Sequence, residues 1–126
     1  MSHIVSIKTK LLDAAAVNAA CRRLGLEQPV SGTAKLFSAQ ASGLIVKLPG
    51  WHYPAVIDTT SGEVKYDTYN GRWGKQQELD KLLQAYAVEK ARAEARRLGN
   101  TVTEQTLTDG SIKLTIQVGS QIGGAA

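Results

Sequence analysis

The opening of the chain alternates between apolar and polar positions, which predicts a half-buried strand over residues 4 to 9. A helix is expected next, because Asp13 can accept the free N–H groups of a first turn. Val17, Cys21 and Leu24 recur at helical spacing and predict its buried stripe. Gly25 suits the left-handed position that follows a helix, so this helix is predicted to end there.

Two hairpins are predicted between residues 34 and 68. A loop at 39–43 would place Leu36 opposite Val46 in the first hairpin. A loop at 59–62 would place Ile57 opposite Val64 in the second. Because strand side chains alternate with period two, this sheet is expected to have one buried face and one wet face.

A long helical pattern then runs from residue 75 to residue 98, and its apolar side carries Leu79, Leu82, Leu83, Tyr86 and Ala87. The pair Asp109-Gly110 predicts a tight turn in a last hairpin. Residues 111–118 are expected to join the main sheet, with residues 101–108 as an edge strand. The predicted core consists of Val17, Leu24, Leu36, Val46, Ile57, Val64, Leu79, Leu83, Ile112, Leu114 and Ile116.

The predicted order is β-α-β-β-β-β-α-β-β, which indicates an α+β fold with an antiparallel sheet and two helices on one face. We expect a single domain over residues 1–118 and a flexible C-terminal tail over 119–126. The 43% apolar and 21% charged content is typical of a globular protein.

Cysteine usage and hydropathy indicate a compartment. Cys21 is the single cysteine, so no internal disulfide is formed and a reducing compartment fits best. No run approaches the roughly 20 apolar residues that span a bilayer. These features predict a cytoplasmic protein without membrane contact.

The net charge of +4 favours weak contact with anionic surfaces. The basic run over residues 90–97 offers Lys90, Arg92 and Arg96 as phosphate contacts. Glu89 and Glu94 interrupt this run, so a solvated helix face is the preferred interpretation.

An unusual concentration of aromatic residues is the main candidate for function. Both tryptophans and three of the four tyrosines fall between residues 51 and 73, and the register of the second hairpin brings these segments together. Aromatic side chains beside an arginine are typical of binding hot spots and of base-stacking platforms. The alternative is that they close the end of the sheet as core. The candidate binding residues are Trp51, His52, Tyr53, Tyr66, Asp67, Tyr69, Arg72 and Trp73.

No motif for catalysis, metal or cofactor binding is present. His3, His52 and Cys21 are the only soft metal ligands, and they fall on a terminus, a loop and an apolar helix stripe. Asp58, Glu63 and Asp67 are expected on the exposed face of the second hairpin, where carboxylates keep ordinary pKa values. We expect no catalytic residues, metal or cofactor.

The segments MSHIVSIKTK, LPGWHYPAVIDTTSGEVKYDTYNGRWG and LLQAYAVEKARAEARRLG, followed by TVTEQTLTDGSIKL, resemble an uncharacterised bacterial family that some algal plastid genomes also encode. It is known as domain of unknown function twelve fifty-seven, or hypothetical chloroplast reading frame thirty-five. The resemblance is most specific in the pattern GxVxYDxYxGxWG, here Gly62 through Gly74. The family has no assigned activity. In some genomes its members accompany a AAA-type ATPase, which implies an accessory role.

These observations lead to three hypotheses. The first is a non-catalytic binding or adaptor protein that acts on a protein partner, such as a AAA-type ATPase. The second is a nucleic-acid-binding domain in which Tyr53, Tyr69 and Trp73 stack on bases while the basic helix holds phosphates. The third is an enzyme that acts on a small ligand.

Overall fold

The computed structural model describes residues 10–118 and the backbone of residues 5–8. The chain divides into two compact units, the first ending at Tyr86 and the second beginning at Ala87. The single domain expected over 1–118 stays a prediction. The tail expected over 119–126 lies outside the described residues.

Nine elements in the described residues follow the predicted order and confirm the α+β class with antiparallel sheets. They are β1 (Val5–Lys8), α1 (Ala14–Arg23), β2 (Val30–Lys35), β3 (Gln40–Val46), β4 (Ala55–Asp58), β5 (Glu63–Tyr66), α2 (Gln76–Arg97), β6 (Thr101–Thr106) and β7 (Ile112–Gln117). The strands β1 to β5 and the helix α1 form the first unit together with the start of the helix α2. The first sheet has the order β1-β5-β4-β3-β2, and the strands β6 and β7 pair with each other.

The local signals at the ends of α1 act as predicted. The Asp13 carboxylate accepts a hydrogen bond from the backbone N–H of Ala16 at 3.1 Å. At the other end Gly25 has φ +71°, and the N–H of Leu26 donates to the carbonyl of Cys21 at 2.9 Å. Both ends satisfy backbone groups that the helix itself leaves unpaired.

Both helices cover one face of the first sheet, as predicted. Leu79 and Leu82 of α2 join Val17 of α1 and Ile57 and Val64 of the sheet in one buried cluster. Leu82 is only 1% exposed, whereas Leu83 is half-buried at the cluster's margin. The predicted apolar side of α2 is therefore confirmed at Leu79 and Leu82, but Leu83 is not fully buried as predicted.

The opposite face of the first sheet is partly apolar, which corrects the predicted wet face. Leu36, Ala41 and Val56 form a second buried cluster, with Ala34 and Tyr53 packed against it. Glu63 and Lys65 lie on this face at the β5 side and are half-buried. The main cause of the difference is the register of the first hairpin.

The second hairpin has the predicted register, with Ile57 opposite Val64. The first does not. Lys35 lies opposite Gln40, and the N–H of Leu36 donates to the carbonyl of Ala39 at 2.7 Å, so the loop is the pair 37–38. Leu36 therefore turns to the second face instead of facing Val46.

Gly43 explains why the loop signal at 39–43 was misleading. It has φ +152°, and a Cβ at this position would lie 2.2 Å from the carbonyl oxygen of Ile57. The glycine permits close approach of two strands inside the sheet, which is a common role of strand glycines.

The last hairpin forms a sheet of its own, so the prediction that it joins the main sheet is wrong for the described residues. Thr106 lies opposite Ile112, and the N–H of Leu107 donates to the carbonyl of Ser111 at 2.8 Å, so the loop is 108–110 and ends with Gly110 at φ +89°. Such loops commonly combine a type I turn with a left-handed residue. A two-residue turn at Asp109-Gly110 would have placed Leu107 opposite Ile112. The observed register differs from this by one residue, so Val102 and Glu104 share a row with Leu114.

Burial in the second unit also differs from the prediction. Ile112 and Leu114 are half-buried, but Ile116 is 47% exposed. Glu104 accepts a hydrogen bond from Arg92 at 2.9 Å, so the row of side chains that contains Leu114 includes an ion pair as well as apolar contacts.

Candidate aromatic binding surface

Two loops of the first unit carry most of the candidate residues. One joins β3 to β4 and holds Trp51 to Pro54, and the other joins β5 to α2. The N–H of His52 donates to the carbonyl of Trp73 at 2.7 Å, and the indole N–H of Trp51 donates to the carbonyl of Lys75 at 3.0 Å. These bonds fix the two loops against each other.

The second loop is built by consecutive left-handed residues. Tyr69, Asn70 and Gly71 have φ values of +48°, +55° and +90°. The carbonyl of Thr68 accepts hydrogen bonds from the N–H groups of Gly71 at 3.0 Å and Trp73 at 2.8 Å. The resulting reversal brings Trp73 back beside Tyr69 and places both rings on the same surface.

Trp73 is the centre of an aromatic surface, a name used below for Phe37, His52, Tyr53, Tyr69 and Trp73. The ring centroids of the other four lie 4.8 to 5.7 Å from that of Trp73. Phe37 is 55% exposed and His52 is exposed, while the other three rings are half-buried. Contacts at these centroid distances are attractive and favour tilted or edge-to-face geometry.

Trp51 and Tyr66 belong to a different environment, so the predicted patch is divided. Their ring centroids are 5.4 Å apart, and both rings contact the buried cluster beneath the helices. A Cβ on Gly74 would lie 2.7 Å from the indole of Trp51, so the ring lies flat against this glycine. Burial raises the pKa of the Tyr66 hydroxyl. These two aromatic residues support the core interpretation.

Asp67 is fully buried, contrary to its predicted place on an exposed face. One carboxylate oxygen accepts a hydrogen bond from the N–H of Tyr69 at 3.2 Å. The other oxygen is buried without a hydrogen-bond partner among the described residues. Asp67 therefore holds the loop in place through a buried hydrogen bond to its backbone and is not exposed at the surface.

Basic side chains border the aromatic surface. The guanidinium of Arg72 lies 5.0 Å from the centroid of the Tyr69 ring, a cation–π arrangement. Lys47 lines a hollow of about 190 Å³ with His52 and Tyr53. Neither basic residue forms an ion pair with a described carboxylate. The surface thus combines partly exposed aromatic rings with two basic side chains that are not paired with the described carboxylates.

Phe37 was missed by the sequence reasoning. The misplaced loop of the first hairpin put it inside a strand, whereas it occupies the turn that faces Trp73. An apolar residue in a two-residue turn could have been a signal, because turn positions are usually polar.

Of the soft metal ligands in the sequence, His3 lies outside the described residues, His52 belongs to the aromatic surface and Cys21 is buried. Burial raises the pKa of the Cys21 thiol, which disfavours the reactive thiolate. In the part of the chain that the structure describes, no group of three His, Cys, Asp or Glu side chains is arranged to hold a metal ion. Likewise, no helix within residues 10–118 is long and apolar enough to cross a membrane.

The basic run of α2 is largely engaged with acids. Arg92 pairs with Glu104, and Arg97 pairs with Glu94. Lys90 also has an interaction partner. A helix face with these neighbours has less free charge for phosphate than its sequence suggests.

Comparisons of the chain with protein-family models, with curated proteins and with solved structures gave no match. The family resemblance described for the sequence therefore stays a prediction, and the geometry of the aromatic surface is the basis for assigning a function.

Proposed function

We propose that the protein is a non-catalytic binding or adaptor protein whose aromatic surface contacts a protein partner. The observation that carries this proposal is the position of Trp73 at the centre of four other rings, two of which are exposed. Rigid aromatic side chains next to an arginine are enriched among residues that dominate binding energy.

The arrangement of the rings favours a protein partner over nucleic acid. Base stacking requires an open ring face. The face or edge of each ring on this surface is instead packed against Trp73, at interplanar angles from 34° to 69°. The remaining exposure is a mixed aromatic and basic surface, which resembles the centre of many protein interfaces.

The expected partner follows from the family resemblance, which points to a AAA-type ATPase. We further propose that this interaction takes place in the cytoplasm, which fits a chain with the single, buried Cys21. Catalysis on a small ligand stays the third hypothesis.

The test is affinity capture from the cell of origin with the wild-type protein and with Phe37→Ala and Arg72→Ala. Both side chains are exposed, so we expect unchanged melting temperatures together with strong loss of the captured partner. Leu12→Ala and Arg22→Ala are matched controls, because these side chains are also exposed and lie on or beside α1.

The same variants separate the two binding classes. Titration with single-stranded DNA and RNA at two salt concentrations should show no salt-dependent quenching of tryptophan fluorescence. Saturable quenching that weakens steeply with salt, and is reduced in Arg72→Ala, would favour the nucleic-acid hypothesis.

A further inference from the structure

The strand β2 is a free edge of the first sheet. In the described part of the chain it stands last in the strand order and pairs only with β3. Five of its six residues are exposed, and Val30 is 65% exposed. Natural proteins usually protect such edges with lysine, proline, inward charges or bulges, because an open edge can pair with another chain. The β2 segment contains no proline, and Lys35 is its single charged residue.

The direction of the free hydrogen-bonding groups follows from the turn. The N–H of Leu36 donates to the carbonyl of Ala39 across the hairpin. Hydrogen-bonded and non-hydrogen-bonded pairs alternate along an antiparallel ladder. The backbone groups of Ser31, Thr33 and Lys35 therefore point away from β3 and are available to a further strand.

Gly32 supports the approach of another backbone. A Cβ here would meet only the side chain of Ile45, at an ordinary 3.6 Å, and the residue does not have a positive φ. The fold thus does not require glycine at this position. A glycine in a strand interior often marks a close approach of a ligand or a second backbone.

The free edge leads directly to the aromatic surface. Phe37 follows β2 after one residue, and its ring centroid is 5.2 Å from that of Trp73. The exposed charge at this end of β2 is Lys35, and Arg72 lies over the ring of Tyr69, which contacts Trp73. A strand that continues past Lys35 would consequently meet aromatic rings and positive charge.

We propose that an extended acidic peptide segment of a protein partner adds to β2 as a sixth strand and places side chains on the aromatic surface. This inference rests on the proposed function and specifies the chemistry of its partner. Main-chain hydrogen bonds to residues 31, 33 and 35 provide affinity, and alternate apolar and acidic side chains provide specificity.

The test uses random peptides displayed on phage, each long enough to pair with all of β2, selected on the wild-type protein. Enriched peptides are synthesised and their affinities measured by calorimetry. Thr33→Pro removes an outward N–H without removing a bond to β3, so it should weaken binding at least about tenfold. Thr33→Val is the matched control, because it also loses the hydroxyl contact with Ser42 but keeps the N–H.

A second measurement does not depend on the folding of the proline variant. Two variants of an enriched peptide are made, one with methylated backbone nitrogens at its odd positions and one at its even positions. One variant should lose binding and the other should keep it, because only one of these two sets of N–H groups faces β2. Acidic residues should predominate among the enriched peptides, and Lys35→Glu should weaken their binding.

Several results would overturn this inference. One is that no peptide is enriched, and another is that the enriched peptides are basic. A third is that peptides bind Thr33→Pro and Thr33→Val with equal affinity. A fourth is that methylation has no effect at either the odd or the even positions. A dimer that dissociates on Thr33→Pro would identify a second copy as the occupant and would also overturn it. Peptides could also bind Thr33→Pro with normal affinity but bind Phe37→Ala more weakly. That result would support the aromatic surface as a binding site and would exclude pairing with β2.

Discussion

The two faces of the first sheet are built from the same strands but are closed in different ways. On one face, α1 and α2 cover Val46, Ile57 and Val64 with a continuous buried cluster. On the other, the buried cluster of described residues is limited to Leu36, Ala41 and Val56, and half-exposed aromatic rings continue outward from it. Aromatic content alone therefore does not distinguish core from binding surface. The distinction is whether the rings pack against the cluster to which the helices contribute.

The largest expected effect is on the helix-covered face. Leu82→Ala removes a fully buried side chain and should lower the free energy of unfolding by about 2–5 kcal/mol, measured by urea denaturation. Leu83→Ala is the control, because Leu83 is only half-buried and should cost clearly less. Equal losses would show that the margin of this cluster is as tightly packed as its centre.

The next effect concerns the glycine beneath Trp51. Gly74→Ala forces a Cβ to within 2.7 Å of the indole ring and should cost about 1–3 kcal/mol through overpacking. Gly32→Ala, where the nearest atom is 3.6 Å away, should leave stability almost unchanged. A neutral Gly74→Ala in thermal denaturation would mean that Trp51 can move outward and is less fixed than the Tyr66 contact suggests.

A smaller effect on stability is expected on the second face. Phe37→Ala removes a ring that is more than half exposed, and its unfolding free energy should change by no more than about 0.5 kcal/mol. Its fluorescence should nevertheless change, because the contact with Trp73 is lost. A large drop in melting temperature would instead assign the aromatic surface to the core.

The smallest effect is a pH dependence at the far end of the second hairpin. A hydrogen bond from the N–H of Thr60 lowers the pKa of the exposed Asp58 carboxyl below its ordinary value of about 3.9. The folded state therefore gains stability that is complete above this value and is lost as the pH falls through the lower folded pKa. The difference in melting temperature between wild type and Asp58→Asn should shrink between pH 6 and pH 3, because protonation of Asp58 removes the charge that distinguishes the two proteins. If the difference in melting temperature stays constant with pH, the effect of Asp58→Asn on stability does not come from the charge of Asp58.

Much of the candidate site could be predicted from the sequence, because most of its residues lie near one another along the chain. The pair Asn70-Gly71 identified the turn, and the confirmed register of the second hairpin brought the two aromatic loops together. Phe37 could not be found in this way, since its contact with Trp73 depends on the loop of a different hairpin. The division between Trp51 and Trp73 also depends on packing, because the sequence does not show which ring a helix covers.

Local sequence signals were sufficient to predict the order of the elements, the ends of α1 and the register of the second hairpin. Caps and turns with left-handed residues are local, and their signals act over a few residues. The tertiary structure decided the register of the first and last hairpins, the burial of Asp67 and the separate sheet of β6 and β7. These features depend on contacts between distant segments. Gly43 is the clearest case, because the sequence marks it as a turn residue, whereas the backbone of Ile57 requires it inside a strand.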